Sequence, residues 1–238
     1  MEVAAVIPAH LDSKRLSRKV LRKIKGKSLI EHVYSRVKES KLIEKVYVAS
    51  SDREVIDQVV SFGGEFIRTA KVHNCGTSRV SEASSNIDAD IIINVQADEP
   101  LISYELLDQM ARYMIDNKDI EILTPVKKIT ELRDINDKNV VKAVFSKDNK
   151  ALCFSRLPIP HDADEHYKHI GIYCFRKSFL LSYPELEESN LDKAEKLEQL
   201  RFLYNGYRIA VFVTEYETIG VDTEEDLKKV EEILSWGK

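Results

Sequence analysis

The chain has 238 residues, 43% of them apolar and 32% charged, with 36 basic against 40 acidic side chains and a formal net charge of -4. That profile fits one soluble α/β domain with a sizeable core, or such a domain carrying an insertion, and with no Lys/Arg block it argues against nucleic acid as the main partner. Cys75, Cys153 and Cys174 show no CxxC spacing, as expected for a reducing cytosol, and the N-terminal "MEVAAVIPAH" is too short and too acidic for a leader or a membrane span.

In chain order, "VAAVIP" (3–8) reads as a strand ended by proline, and "LIEHVYSRVKES" (29–40) as a helix with Leu29, Ile30, Val33 and Val37 on one face. "KVYVAS" (45–50) is the next strand, Asp52 suits the cap of a helix through "REVIDQVVSF", and "GGEFIRT" gives a turn and a third strand. Residues 79–87 look helical, "ADIIINVQ" is a strand, and "ISYELLDQMARYMIDN" is a helix that Ser103 can cap. Near-continuous apolar strands separated by helices imply a mostly parallel sheet covered on both faces.

After "EILTPVKK" the pattern changes. "VVKAVFSKDNKALCFSR" (140–156) reads as a hairpin around a polar turn, "KHIGIYCF" (168–175) as one strand, and "KAEKLEQLRFLYN" (193–205) as one helix closed by Gly206. "YRIAVFVT" is a strand and "TEEDLKKVEEIL" a last helix, so a single domain over 1–238 is expected, with an insertion at about 128–190.

Ligands of an open parallel sheet bind outside the carboxyl ends of its strands, and three such ends are chemically loaded. "PAHLDSKRLSRK" carries Lys14, Arg15, Arg18 and Lys19, which suit a polyphosphate or form a solvated basic loop; neither a P-loop nor a G-x-G-x-x-G is present. "NVQADEP" (94–100) ends a strand in Asp98 and Glu99, which either cap the next helix or serve a magnesium site that needs a second acid. "TIGVDTEEDL" offers Asp222 as that acid, although Asp222 or Thr223 also suits the cap of the last helix. The six histidines lack zinc spacing and no G-x-S-x-G elbow exists, which leaves metal-assisted phosphoryl or nucleotidyl chemistry.

Taken in order, "VIPAHLDSKRLSRK", "GTSRV", "NVQADEP", "ALCFSRLPIP", "KHIGIY", "KLEQLR" and "GVDTEEDL" resemble the 3-deoxy-manno-octulosonate (Kdo) cytidylyltransferase, or CMP-Kdo synthetase, family over nearly the whole chain. The resemblance implies a Rossmann-like nucleotidyltransferase fold with a smaller inserted β-rich subdomain for dimerisation and sugar binding, and a cytoplasmic homodimer. It also implies the reaction: CTP and Kdo give CMP-Kdo and pyrophosphate for lipopolysaccharide synthesis, with Mg2+ as cofactor and without membrane or nucleic-acid partners. By motif match Asp98 and Asp222 hold the metal and act with Lys19 in catalysis. His10, Arg15, Lys19, Thr77 and Arg79 line the nucleotide; Arg156 faces the sugar carboxylate; and Gln96, His169, Tyr173, Glu198 and Gln199 contact the sugar. Without the collinear match the favoured readings are Tyr173 as core, Glu198 and Gln199 as a solvated helix face, and Arg156 as the partner of a nearby acid. His32, Cys153 and Cys174 read as structural.

The chain departs from the family pattern at His10, where arginine is usual and Arg18 is the cation expected to compensate, at "SRK" (17–19) in place of "PGK", at Ser78 in place of the aspartate of "GTDR", and at Ala97 in place of glycine. Those changes keep two alternatives open: cytidylyl transfer to another acidic 3-deoxy-ulosonic sugar, such as an amino-substituted Kdo, or a weakly active homologue that binds nucleotide.

Overall fold

A computed structural model describes residues 1–238 except 14, 218, 237 and 238. Lys14, one of the four cations expected on the first loop, therefore lies outside the described residues. The first half contains β1 (Val3–Pro8), a short hairpin β2 (Lys23–Ile24) and β3 (Lys27–Ser28), α1 (Leu29–Lys38), β4 (Lys45–Ser50), α2 (Arg53–Ser61), β5 (Glu65–Arg68), α3 (Gly76–Ser84), β6 (Ile91–Asn94) and α4 (Tyr104–Asp116). The second half contains β7 (Ile122–Lys128), α5 (Leu132–Asn136), β8 (Lys142–Phe145), β9 (Ala151–Ser155), β10 (Tyr167–His169), β11 (Tyr173–Arg176), α6 (Lys177–Ser182), α7 (Asn190–Glu195), α8 (Gln199–Tyr204), β12 (Ile209–Val213) and α9 (Glu224–Trp236).

The main sheet runs β5-β4-β1-β6-β11-β7-β10-β8-β9, and β12 also pairs with β7. β5, β4, β1 and β6 are parallel, which is the doubly wound order expected of a Rossmann-like unit. β11 is antiparallel to both β6 and β7, so those two point the same way, and β12 runs parallel to β7. The carboxyl ends of β1, β4, β6 and β12 therefore lie along one edge of the sheet. β8, β9 and β10 extend the same sheet through antiparallel pairs.

β1 shows why the parallel strands read as unbroken apolar runs. Val3, Ala5 and Ile7 enter one core with Ile30, Val33 and Leu107, while Ala4 and Val6 enter a second core with Val80 and Phe175 on the opposite face. Both faces are covered, so neither alternate set is polar.

Two expected elements are divided. "KHIGIYCF" is two strands, because the chain leaves β7 and β8 after His169 and rejoins the sheet between β6 and β7 at Tyr173. Thr124 Oγ1 stabilises that crossing, lying 2.8 Å from the Ile172 carbonyl oxygen and 3.3 Å from that of Ile170. "KAEKLEQLRFLYN" is two short helices, since Lys196 adopts the left-handed conformation at φ 55° and turns the chain between α7 and α8. α3 begins at Gly76, ahead of the expected start at residue 79.

Candidate active site

The strand ends form one crevice of three connected hollows. A hollow of about 320 Å³ is lined by His10, Arg15, Lys19, Ala97, Asp98 and Asp222. A cavity of about 920 Å³ beside it is lined by Arg156, His169, Tyr173, Glu198 and Gln199. A third hollow of about 580 Å³ is lined by His10, Asp52, Asn74, Cys75 and Arg79. Gln96 borders all three.

In the first hollow, Lys19 Nζ donates to Asp98 Oδ2 at 2.7 Å and to Asp222 Oδ1 at 2.9 Å, and Arg15 donates to Asp222 Oδ2 at 2.7 Å. Burial alone would lower the Lys19 pKa, but the charges and hydrogen bonds of Asp98 and Asp222 outweigh it and raise it. The two acids, more than 120 residues apart in sequence, thus converge on one ammonium group.

Neither acid is used as a helix cap. Ser103 Oγ accepts from Leu106 N–H and caps α4, leaving Asp98 free. At α9 the reciprocal pair is Thr223 and Asp226: Thr223 Oγ1 accepts from Asp226 N–H at 3.2 Å, and Asp226 Oδ2 accepts from Thr223 N–H at 2.9 Å. Asp222 contributes only its own N–H to Asp226, and its carboxylate faces the crevice. Asp52, expected to cap α2, instead accepts from Leu11 N–H at 2.8 Å and makes no cap bond. Its carboxylate fastens the first loop to the end of β4.

Glu99 differs from its neighbour Asp98. Its Oε2 is closed from solvent without a hydrogen-bond partner among the described residues, and Oε1 lies 3.6 Å from where a Cβ on Gly220 would sit. Burial, reinforced by the charges of Asp98 and Asp222, pushes its pKa up to about 8. Glu99 therefore backs the loop that carries Asp222 and does not line the crevice.

The large cavity is built from oriented polar groups. The Arg156 guanidinium donates to the backbone carbonyls of Glu195 at 2.7 Å and Lys138 at 3.0 Å, while its backbone N–H donates to the Glu195 carboxylate at 2.9 Å. Among the described residues no carboxylate neutralises the guanidinium directly, so its charge is available to an anion in the cavity. His169 Nε2 lies 2.8 Å from Thr124 Oγ1, whose proton is directed at the Ile172 carbonyl, so Nε2 carries the hydrogen. Its Nδ1 is then an acceptor facing Gln199 Nε2 at 3.5 Å. Burial pushes the His169 pKa down to about 3, which keeps the ring neutral. Tyr173 is both core and cavity wall: it is 2% exposed, stacks on Phe175, and still borders the cavity.

In the third hollow, Arg79 donates to Thr69 Oγ1 at 2.6 Å and to the Ala70 carbonyl, and burial lowers its pKa. Thr77 is fully buried and lines none of the three hollows; its hydroxyl meets Glu198 Oε1 at 2.6 Å. Arg18 pairs with Glu54 on α2 and also lines none of the three, so it does not supply a cation beside His10. Ser78 donates to the Cys75 carbonyl at 2.8 Å in the first turn of α3. The Ala97 methyl joins the main core and its backbone is not in the left-handed region, so the extra carbon is accommodated. His32 bonds the Ile24 carbonyl oxygen and Cys174 is buried, consistent with structural roles, whereas Cys153 is exposed.

Residues that the motifs did not single out also border the crevice, among them Asp12, Asn74, Cys75, Asn139 and Lys168. Cys75 and Asn74 directly precede "GTSRV", which was the available signal. Among the described residues no group of three or more His, Cys, Asp or Glu is arranged as a metal cage, and no helix is long and apolar enough to cross a membrane.

A cytidylyltransferase family model matches residues 4–211. The 3-deoxy-manno-octulosonate cytidylyltransferase of Geobacter metallireducens is 41% identical over 250 residues, covering 99% of this chain and 98% of the relative. The chain belongs to the 3-deoxy-manno-octulosonate cytidylyltransferase family. The family enzyme of Francisella tularensis subsp. novicida is 42% identical over 244 residues, with 97% of each chain covered. Among solved structures, CMP:2-keto-3-deoxy-manno-octonic acid synthetase complexed with CTP superposes with a TM-score of 0.95 at 36% identity, over 100% of both chains. A cytidylyltransferase from Leptospira borgpetersenii, at 19% identity and a TM-score of 0.70, shares the fold. As a member of the 3-deoxy-manno-octulosonate cytidylyltransferase family, the chain carries its departures at His10, Ser78 and Ala97 in the two smaller hollows and the α3 turn beside them, away from Arg156 and His169.

Proposed function

We propose that the protein transfers CMP from CTP to the anomeric C2 hydroxyl of 3-deoxy-manno-octulosonate, releasing pyrophosphate, for lipopolysaccharide synthesis. The observation that carries this reading is the continuous crevice, in which a charged hollow suited to a triphosphate opens at Gln96 into a large cavity with one unneutralised guanidinium, the match for an acidic sugar. The full-length likeness to the CTP-bound synthetase supports it.

The triphosphate would lie across the first hollow, with Lys19 and Arg15 neutralising the β and γ phosphates and the pyrophosphate that departs, while His10 and Arg79 border the nucleotide. Arg156 would hold the sugar carboxylate, and Gln96, His169, Tyr173, Glu198 and Gln199 would orient the hydroxyls. The C2 oxygen then forms a bond to the α-phosphorus as the bond to the bridging oxygen breaks, and the hydroxyl proton is released. No covalent enzyme intermediate is required: the protein supplies in-line placement and charge, with donors fixed before the substrate arrives.

The charged hollow fits a magnesium ion. Asp98 and Asp222 converge there free of capping duty, with Lys19 bridging them and Arg15 beside Asp222. Two carboxylates with phosphate oxygens and water are a usual magnesium donor set. When bound, the ion would polarise the phosphate and acidify the attacking hydroxyl. Lys19 would then release part of its hold on the two aspartates and turn toward the phosphates.

The protein is proposed to work as a cytoplasmic homodimer. All three cysteines are free, which suits a reducing compartment, and the edge strand β9 with the residues after it presents exposed Leu152 and Leu157, which suit a subunit contact. Mass determination by light scattering checks this: a monomer at micromolar concentration would refute the dimer. The reaction is tested by incubating the protein with CTP, magnesium and Kdo and identifying the product by mass. CMP-Kdo is expected; product only from an amino-substituted or other acidic sugar would reassign the substrate, and no product from any pair would leave a nucleotide-binding homologue.

A further inference from the structure

Thr77 and Asn94 sit at the seam between the nucleotide hollow and the large cavity, each with no exposed surface. The transfer step described above gives neither a task. Asn94 is the last residue of β6 and Thr77 stands in the first turn of α3, so packing of α3 against the sheet brings them together. Asn94 Nδ2 donates to Thr77 Oγ1 at 3.2 Å, and Thr77 Oγ1 donates to Glu198 Oε1 at 2.6 Å.

A threonine hydroxyl has a single proton. With Asn94 supplying a hydrogen to the oxygen, that proton is left for the carboxylate, and rotating the hydroxyl breaks both bonds. Among the described residues Asn94 Oδ1 has no hydrogen-bond partner, so the side-chain bond that orients this buried amide is the one its Nδ2 gives to Thr77. Glu198 follows the left-handed break at Lys196 and precedes α8 without a side-chain cap bond, so the helix does not orient its side chain; the carboxylate is held from the α3 side, by the Thr77 hydroxyl and against the Cys75 thiol. Burial first and the Glu198 charge second push that thiol up to about 11.

We infer that Thr77, held by Asn94, is a positioning residue that fixes the Glu198 carboxylate as an acceptor for a hydroxyl of the acidic sugar and touches no nucleotide. This gives Thr77 a different role from the nucleotide contact its motif implies. Arg79, two positions on, faces the nucleotide hollow, while the Thr77 hydroxyl is spent on the sugar side. The inference rests on the assignment of the large cavity to the sugar.

Steady-state kinetics of the full-length protein with magnesium, CTP and Kdo test it through four variants. Thr77→Val keeps the shape and removes the hydroxyl; it should raise the KM for Kdo about tenfold, the scale of one charge-assisted hydrogen bond, with the KM for CTP within about twofold of wild type. Thr77→Ser should restore the wild-type value. Glu198→Gln should raise the Kdo KM as well, and the double variant Thr77→Val/Glu198→Gln should be no worse than Glu198→Gln alone, since Thr77 acts only through Glu198. If Thr77→Val does not fold, Asn94→Ser poses the same question, with an expected rise of about threefold in the Kdo KM and none for CTP. A rise in the CTP KM with an unchanged Kdo KM, or effects of Thr77→Val and Glu198→Gln that simply multiply, would overturn the positioning role. An unchanged Kdo KM in Glu198→Gln would instead overturn the sugar assignment of the cavity on which the role depends.

Discussion

The two ends of the crevice are built on opposite electrostatic plans. At the ends of β1, β6 and β12, Lys19, Arg15, Asp98 and Asp222 neutralise one another directly, with hydrogen bonds of 2.7 to 2.9 Å. In the large cavity, His169 is kept neutral by burial, Tyr173 stays protonated, and Arg156 is fastened to backbone carbonyls instead of to an acid. The first region pairs its cations and carboxylates with one another across the crevice; the second keeps the Arg156 guanidinium and neutral polar groups in fixed orientations. The contrast matches the chemistry proposed for each, because cytidylyl transfer develops charge on the phosphate and leaving pyrophosphate oxygens whereas sugar recognition requires placement.

That contrast ranks the expected effects of mutation. The largest belongs to the charged corner: Asp98→Asn should lower kcat by about 10²–10³-fold with melting close to wild type, read by pyrophosphate release. The neighbouring Glu99→Gln should keep most of the turnover, because Glu99 backs the Asp222 loop; equal losses in the two variants would erase the distinction between the adjacent acids. Next comes the cavity, where Arg156→Ala should raise the KM for Kdo by about tenfold or more and leave the CTP KM nearly unchanged. Arg156→Lys should not rescue it, since an ammonium group cannot span the same carbonyls and a carboxylate together.

A smaller effect concerns stability. The folded-state pKa of His169, about 3, lies below its ordinary value of 6.5, so the unfolded chain binds the extra proton first. The corresponding stability is complete above about pH 6.5 and is lost as the pH falls toward 3. Melting temperature should therefore drop between pH 7 and pH 5, and His169→Asn should flatten that drop; an unchanged pH profile would mean that the ring is not enclosed as described. The smallest effect should come from His10→Arg. Arg18 is engaged by Glu54 and does not reach the hollow, so an added guanidinium should tighten CTP only about two- to fivefold, as a partly exposed charge does.

Much of this was legible from the chain because parallel strands buried on both faces announce themselves as apolar runs, and the residues just past their ends are those a ligand meets. Asp98, Asp222 and Lys19 were found that way. Whether the acids were helix caps was not legible, because capping residues and metal ligands are the same residue types; Ser103 and the Thr223–Asp226 pair decide it. The breaks at Gly171 and Lys196 were hidden for another reason. Residues 168–175 keep a strand-like composition while crossing between two sheet positions, and Lys196, a residue that favours helix, adopts a left-handed C-cap whose N–H bonds the Asp192 carbonyl. The resemblance implies a nucleotide contact for Thr77 together with Arg79; in the fold the Thr77 hydroxyl meets Glu198 while the Arg79 guanidinium meets Thr69, a difference in partners that sequence adjacency does not reveal.

The charged corner is proposed to hold the triphosphate and a magnesium ion through Asp98 and Asp222. The most direct measurement is pyrophosphate release from CTP and Kdo as magnesium is titrated into metal-free protein, wild type against Asp98→Asn. A saturable rise from a near-zero rate in the wild type, lost in the variant, is the predicted result; full turnover in excess chelator, or an unchanged magnesium dependence in Asp98→Asn, would contradict it.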